Sequence, residues 1–143
     1  MPGRRTHRIQ ALVLDRTKLG EQDLILTLLS FGGEKIQAVA KGARKPGGRF
    51  AARTELFSEL DALVAEGRSL AVISEASLID AHEAIRGDLS RVSAASVLCE
   101  IARLTCAEGY EDTFLFPILS RALSAVEEAS DDAHLDLIVA AYV

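Results

Sequence analysis

The feature that most constrains this fold is a change of hydrophobic pattern near residue 80. Before it, short apolar runs separated by glycine-containing turns indicate strands; after it, longer segments with few breakers indicate helices. Five strands are predicted, at Ile9–Asp15, Asp23–Ser30, Lys35–Lys41, Leu56–Ala65 and Leu70–Ile79. Their spacing predicts a small closed or partly closed barrel, so the expected class is α+β. We expect a barrel domain over residues 1–80 and a helical domain over residues 81–143.

The second half of the sequence predicts three helices. The first, over Ala84–Ala107, is apolar round most of its circumference, which is typical of a helix packed on several sides. Asp112 or the next residue is expected to cap a second helix that runs to about Ala129. A third begins near Asp131 and is still helical in pattern at the last residue, so the sequence is expected to be a fragment of a longer protein.

Charge is unevenly distributed along the chain, although the formal net charge is only −5. Residues 1–53 contain eleven Lys and Arg against four Asp and Glu, which gives +7. The remainder contains five bases against seventeen acids, which gives −12. Because binding responds to the local field, the basic half is compatible with nucleic acid despite a pI near 5.2.

Composition also bears on the cellular compartment. No apolar run reaches about 18 residues and no secretory signal pattern is present, so a cytoplasmic location is expected. Cys99 and Cys106 form neither a disulfide framework nor a zinc motif and are expected to be small core residues.

Several motifs follow one another in a recognisable order. A Gly20-Glu21-x-Asp23 turn precedes the second strand, and Gly32-Gly33-Glu34-Lys35 follows it. The third strand ends in Ala40-Lys41-Gly42-Ala43-Arg44-Lys45, and Arg49-Phe50 comes soon after. This succession closely resembles the start of the RecO family, bacterial DNA repair and recombination-mediator proteins. The turn and the Ala40–Lys45 motif together are fairly specific, and the likeness extends more loosely through the helices.

The resemblance implies an N-terminal OB-fold followed by a helical domain. It implies binding of single- and double-stranded DNA, promotion of strand annealing, and help in loading the recombinase onto DNA coated by single-strand-binding protein. The implied partners are RecR and the C-terminal tail of single-strand-binding protein, at the nucleoid. Many family members continue into further helices and a Cys-x-x-Cys-type zinc module. No such module is present here, so no cofactor is assigned to this chain and zinc is expected only in a further C-terminal region.

The candidate DNA contacts are basic residues on the third strand and the loop that follows it. In an OB-fold the ligand lies over strands two and three and the adjoining loops. Glycines in this loop would let its backbone approach phosphates closely. The predicted phosphate contacts are Lys35, Lys41, Arg44, Lys45 and Arg49, with Arg16 and Lys18 in a secondary role. A solvated, mobile connector is the alternative interpretation of the same loop.

Aromatic residues are sparse, and catalytic motifs are not evident. Phe50, beside Arg49, is the best stacking candidate, but a core role is favoured for it and for Phe57. The deficit predicts binding dominated by the DNA backbone, with little sequence preference.

His7, His82 and His134 have no ligand-type spacing and are expected to be structural or solvated, and no P-loop occurs. Two alternatives to a mediator stay open. One is an adaptor whose basic barrel binds an acidic protein, and the other is an enzyme whose site has no sequence motif.

Overall fold

The computed structural model describes residues 5–106 and 112–142. The strands are β1 (Thr6–Leu19), β2 (Asp23–Ser30), β3 (Lys35–Ala40), β4 (Glu59–Ala65) and β5 (Ala71–Asp80). The helices are α1 (Glu83–Arg86), α2 (Leu89–Thr105), α3 (Leu115–Glu128) and α4 (Asp132–Tyr142). The strands close a barrel in the order β1-β2-β3-β5-β4, in which β5 runs parallel to β3 and the other pairs are antiparallel. The α+β class and the five-stranded barrel are thus confirmed.

β1 is twice as long as predicted. The predicted loop at Arg16–Gln22 was wrong in its first half, because the last three residues of β1 pair with the first three of β2. A register shift between Val13 and Asp15 marks a bulge, which bends the strand so that it pairs with β2 and also with β4. The turn itself is short, and Gly20 adopts a φ of 61°, a conformation that glycine tolerates best.

β4 begins three residues later than predicted because of the backbone at Phe57. This residue has a φ of 72°, which no regular strand accommodates, so its predicted place in a strand was wrong. Its backbone N–H donates to the carbonyl of Val13, and the N–H of Val13 donates to the carbonyl of Ser58. The ring is 2% exposed, so the predicted core role is confirmed.

Two apolar cores share the wall of the barrel. The interior core includes Ala11 and Val13 from β1, whereas Leu12 and Leu14 face outward into a second core formed with the helices. This alternation follows from the period of two along a strand. The outer core also takes in Phe57 and most of the buried residues of α2, α3 and α4.

The predicted helix over residues 84–107 is broken into α1 and α2. Asp88, in extended backbone, accepts a hydrogen bond from the N–H of Ser90 through Oδ1 at 3.0 Å and so caps α2. α2 contacts α1, α3, α4 and β1, so the expectation that it packs on several neighbours is confirmed in part. It was wrong for the rest of the circumference, where Leu89, Val97 and Leu104 are exposed in the part of the chain described.

Of the two predicted start signals, the one before α4 is confirmed, because Asp131 Oδ1 accepts from the N–H of His134. The predicted cap of α3 at Asp112 or Thr113 was wrong. The N-cap is Phe114, which has no side-chain capping bond, and Asp112 Oδ1 accepts from the N–H of that residue. Within residues 5–106 and 112–142, the helices are too short or too polar to cross a membrane.

Both cysteines lie in the outer core, as expected. Burial raises the pKa of the Cys99 thiol to about 12, which makes it an inert core residue.

Gly33, in the β2–β3 hairpin, fits closely against the segment before α3. Its φ is 90°, and a Cβ on it would lie 1.9 Å from the carbonyl oxygen of Asp112. Gly20 also has a positive φ, but a Cβ there would meet nothing within 4 Å. We expect Gly20→Ala to cost about 1 kcal/mol through backbone strain alone, and Gly33→Ala about 3 kcal/mol or more. Urea unfolding followed by circular dichroism measures both values. Equal costs would contradict the close contact between hairpin and helices.

Candidate nucleic-acid interface

The barrel has one end against the helices and one end away from them. At the helical end, the β2–β3 hairpin places the ring of Phe31 5.4 Å from that of Phe116. The carbonyl oxygen of Gly33 there lies 3.7 Å from Sγ of Cys106. The part of the barrel away from these contacts, called the open end below, includes the β1–β2 turn, the residues that follow β3, and the β4–β5 turn.

Strand register brings the open-end segments together. Lys18 in β1 is opposite Leu24 in β2, which is in turn opposite Ala40 at the end of β3. Val39 is also opposite Val72 at the start of β5, so the β4–β5 turn lies beside the end of β3.

The segment from Lys41 to Ser58 is anchored at its start to the β1–β2 turn. Asp23 Oδ1 accepts the N–H of Gly42 at 2.8 Å. The N–H of Arg44 donates to the carbonyl of Gln22, and its Nη1 donates to the carbonyl of Gly20 at 3.0 Å. The segment then continues as successive turns. Its beginning is thus held in place although it carries no regular structure.

The middle of the same segment closes the gap between β3 and β5, which pair over only two residues. The ring of Phe50 is 2% exposed and packs in the interior core, so the preference for a core role over stacking is confirmed. Arg49 donates to the carbonyl of Ser74 and lies 4.7 Å above the Phe50 ring, and Arg53 donates to the carbonyl of Ala76. The two guanidinium groups therefore satisfy carbonyl oxygens on the edge of β5.

Four of the seven predicted phosphate contacts lie together at the open end. They are Lys18, Lys41, Arg44 and Lys45. The three lysines are exposed, and Arg44 is half-buried because its guanidinium binds the β1–β2 turn. This group of four is called the open-end cluster below. It places several positive charges on neighbouring loops, the arrangement that neutralises consecutive phosphates.

The other three predicted contacts lie elsewhere. Lys35 is at the helical end of β3, about 20 Å along the strand from Lys41. Burial raises the pKa of the Cys106 thiol, and the nearby Lys35 ammonium opposes that rise. Arg16 is half-buried and pairs with Glu55 at 3.6 Å. Arg49 lies on the β5 edge described above.

Two further arginines near the open end were missed by the sequence analysis. Arg68 is exposed in the β4–β5 turn, and Arg5 is exposed beside it, since its carbonyl accepts the N–H of Glu66. The loops between strands one and two and between strands four and five carry ligand contacts in OB-folds. The turn residues around Arg68 were a usable signal for this position.

The strand order and the single closed barrel define an OB-fold with helices packed at one end. The family model for the N-terminal part of recombination protein O matches residues 4–82. The chain belongs to the RecO family, as the motifs at residues 20–23 and 40–45 indicated.

Relatives of the chain carry the name DNA repair protein RecO. The protein from Synechococcus elongatus is 40% identical over 126 residues, which cover 88% of this chain and 47% of the relative. The protein from Bifidobacterium longum is 41% identical, with 87% and 53% covered. The protein from Roseiflexus sp. is 34% identical over 138 residues, with 96% and 47% covered. The chain therefore spans about half the length of these curated relatives, and its family is one of DNA repair proteins.

The anchor at Asp23 can be tested without DNA. Asp23→Ala removes the acceptor of the Gly42 N–H. The loss of one part-buried hydrogen bond of this kind costs about 1 kcal/mol. We expect hydrogen exchange at Gly42 and Arg44 to accelerate about fivefold. Glu21→Ala, an exposed acid in the adjacent turn, is the control and should leave these amides unchanged. Equal exchange in both variants would mean that the carboxylate does not hold the segment.

Proposed function

We propose that this chain supplies the DNA-binding barrel of a non-enzymatic recombination mediator in DNA repair. In this proposal the barrel, residues 1–80, binds single- and double-stranded DNA at the nucleoid, and residues 81–143 form a helical domain. The observation that carries the proposal is the open-end cluster, which lies on the part of the barrel that the described helices leave uncovered. Family membership supports the role in repair and recombination.

The open-end cluster suits binding that is insensitive to base sequence. Lysine and arginine bind phosphates by charge and release counterions, whereas stacking on exposed aromatic rings adds contacts to the bases. Phe50 is buried, and the exposed Phe31 lies at the helical end. Among the residues described at the open end, contacts to the phosphate backbone therefore dominate. Such binding would let one protein hold any pair of complementary strands, as annealing requires.

The mediator activity would follow from holding two DNA strands side by side, without any reaction on either strand. We propose that the chain promotes strand annealing and recombinase loading on DNA coated by single-strand-binding protein. The proposed partners are RecR and the C-terminal tail of single-strand-binding protein. The contacts at the open end would then be shared between DNA strands, and partner contacts would involve other surfaces.

Charge reversal at the open end tests this proposal. Fluorescence anisotropy of the 143-residue chain with a labelled single-stranded oligonucleotide, across a salt series, should give a slope of about −3 in log K against log salt for about four neutralised phosphates. Lys41→Glu with Lys45→Glu should weaken binding and reduce the slope by about 1.4. Both lysines are exposed, so the fold should be retained.

Arg121→Glu is the matched control, because Arg121 is exposed on α3, remote in sequence from the barrel. It changes the net charge by the same amount as one of the two reversals and should leave the slope near that of the unmodified chain. If it weakened binding as much per charge as the lysine reversals, net charge rather than the open end would explain the affinity. Binding of a polyanionic peptide as tightly as DNA at equal salt would favour the adaptor alternative.

A further inference from the structure

The joint between barrel and helices holds three metal-ligating side chains that the proposed DNA function does not use. Asp80 ends β5, His82 precedes α1, and Glu127 lies in the last turn of α3. One candidate ligand atom from each, two carboxylate oxygens and one imidazole nitrogen, lies within 4.8 Å of the other two. Because Glu127 comes 45 residues after His82, sequence spacing could not indicate this group.

The His82 ring is buried and fixed in one orientation. Its side chain is 1% exposed, and Nδ1 lies 2.9 Å from the carbonyl oxygen of Phe57. A carbonyl oxygen only accepts, so Nδ1 carries the ring proton and Nε2 of the neutral imidazole presents a lone pair. In metal sites, a histidine ligand is commonly oriented by such a hydrogen bond at its other nitrogen.

Nε2 of His82 has no hydrogen-bond partner among the residues that the structure describes, although the atom is buried. Buried polar atoms are almost always satisfied by a partner, and a bound cation is a partner that a ring nitrogen with a lone pair can take. The backbone of His82 is also held in the left-handed region, at φ 47° and ψ 45°, and thereby directs the ring into the joint. The sequence predicts a structural or solvated histidine, and the structure adds a ring nitrogen that faces two acids.

The distance from Nε2 to Asp80 suits a shared cation better than a shared proton. Oδ2 of Asp80 lies 3.6 Å from Nε2, too far for a hydrogen bond. Two ligand atoms of a tetrahedral zinc ion are separated by about 3.4 Å. Oδ1 of the same carboxylate accepts the backbone N–H of His82 at 2.9 Å, which holds Oδ2 towards the ring.

We propose that His82, Asp80 and Glu127 bind a divalent transition-metal ion of the zinc class, with a fourth position left for water or another ligand. One imidazole and two carboxylates suit zinc, cobalt or manganese, whereas magnesium and calcium favour all-oxygen ligand sets. The two carboxylates offset the charge of the ion. Asp80 and Glu127 are not fully buried, so their side chains can close by the small rotation that coordination needs.

Among residues 5–106 and 112–142, the neighbouring arginines bond other groups than these two carboxylates. The Arg86 guanidinium donates to the carbonyl oxygens of Leu56 and Ala81. Arg91 pairs with Asp88 and donates to the backbone carbonyl of Glu127, not to its carboxylate. The proposed ligands therefore keep their negative charge available to the ion. Since they come from both sides of the joint, metal binding would fasten the end of β5 to the end of α3 and stabilise the folded chain.

Zinc titration of the metal-free chain tests the site, with competition against a chromophoric chelator to obtain the affinity. We expect one zinc ion per chain and a rise in the thermal unfolding midpoint on binding, with no comparable rise in magnesium. Glu127→Gln and Asp80→Asn should each weaken zinc binding at least about tenfold. Glu128→Gln is the matched control, since Glu128 is the next, exposed residue and lies outside the group of three.

Cobalt absorption distinguishes this site from the cysteines. Cobalt bound by one nitrogen and two oxygens gives visible bands without a sulfur-to-metal charge-transfer band. That band would place the metal at Cys99 or Cys106 and overturn the proposal. So would the absence of zinc binding, or equal affinity in Glu127→Gln and Glu128→Gln. Unfolding midpoints without metal show whether each variant is folded. The result does not depend on DNA binding.

Discussion

The double-sided burial of β1 is the constraint on which this structure depends. Residues Ala11 to Leu14 are all buried, with alternate side chains in the interior core and in the core shared with the helices. A strand buried on both faces cannot shift its register by one residue without exchanging the two sets of side chains. The same four residues therefore fix the barrel and the helices relative to one another. Along this part of β1, the outer face of the barrel is also the face on which the helices pack.

This constraint decides which surfaces remain for binding. Helices cover the end of the barrel that carries the β2–β3 hairpin, so Lys35 stands beside the helices although it shares a strand with the residues before Lys41. The described helices do not cover the loops of the open end. Positive side chains lie there on three separate segments, at the β1–β2 turn, after β3 and in the β4–β5 turn. The acidic part of the sequence divides between the barrel strands β4 and β5 and the helices. On the barrel wall, Asp61 and Glu75 pair with Arg8, so the exposed lysines at the open end are the positive charges left for an anionic ligand.

The barrel was predictable where local pattern and tertiary packing agree. β2 was predicted to the residue because its apolar run is bounded by Asp23 and a glycine pair. The extension of β1 to Leu19 was not predictable, because its last residues are largely polar and gain their strand conformation from pairing with β2. The helix break at Asp88 was missed because the apolar pattern continues through it, whereas its capping bond requires knowledge of the backbone. The positive φ of Phe57 leaves no sequence signal at all.

The two sites differ in how far the sequence could predict them. The open-end cluster is largely contiguous in sequence, so a basic motif predicted most of it, whereas Arg68 lies near the cluster only because of strand register. The group around His82 depends entirely on packing. The two are nevertheless connected through the segment that follows β3, which is bound at its start by Asp23 and at its end by the bond from His82 to Phe57. A change in how the ring of His82 is held would act on the far anchor of the segment that begins with Lys41, Arg44 and Lys45 of the open-end cluster.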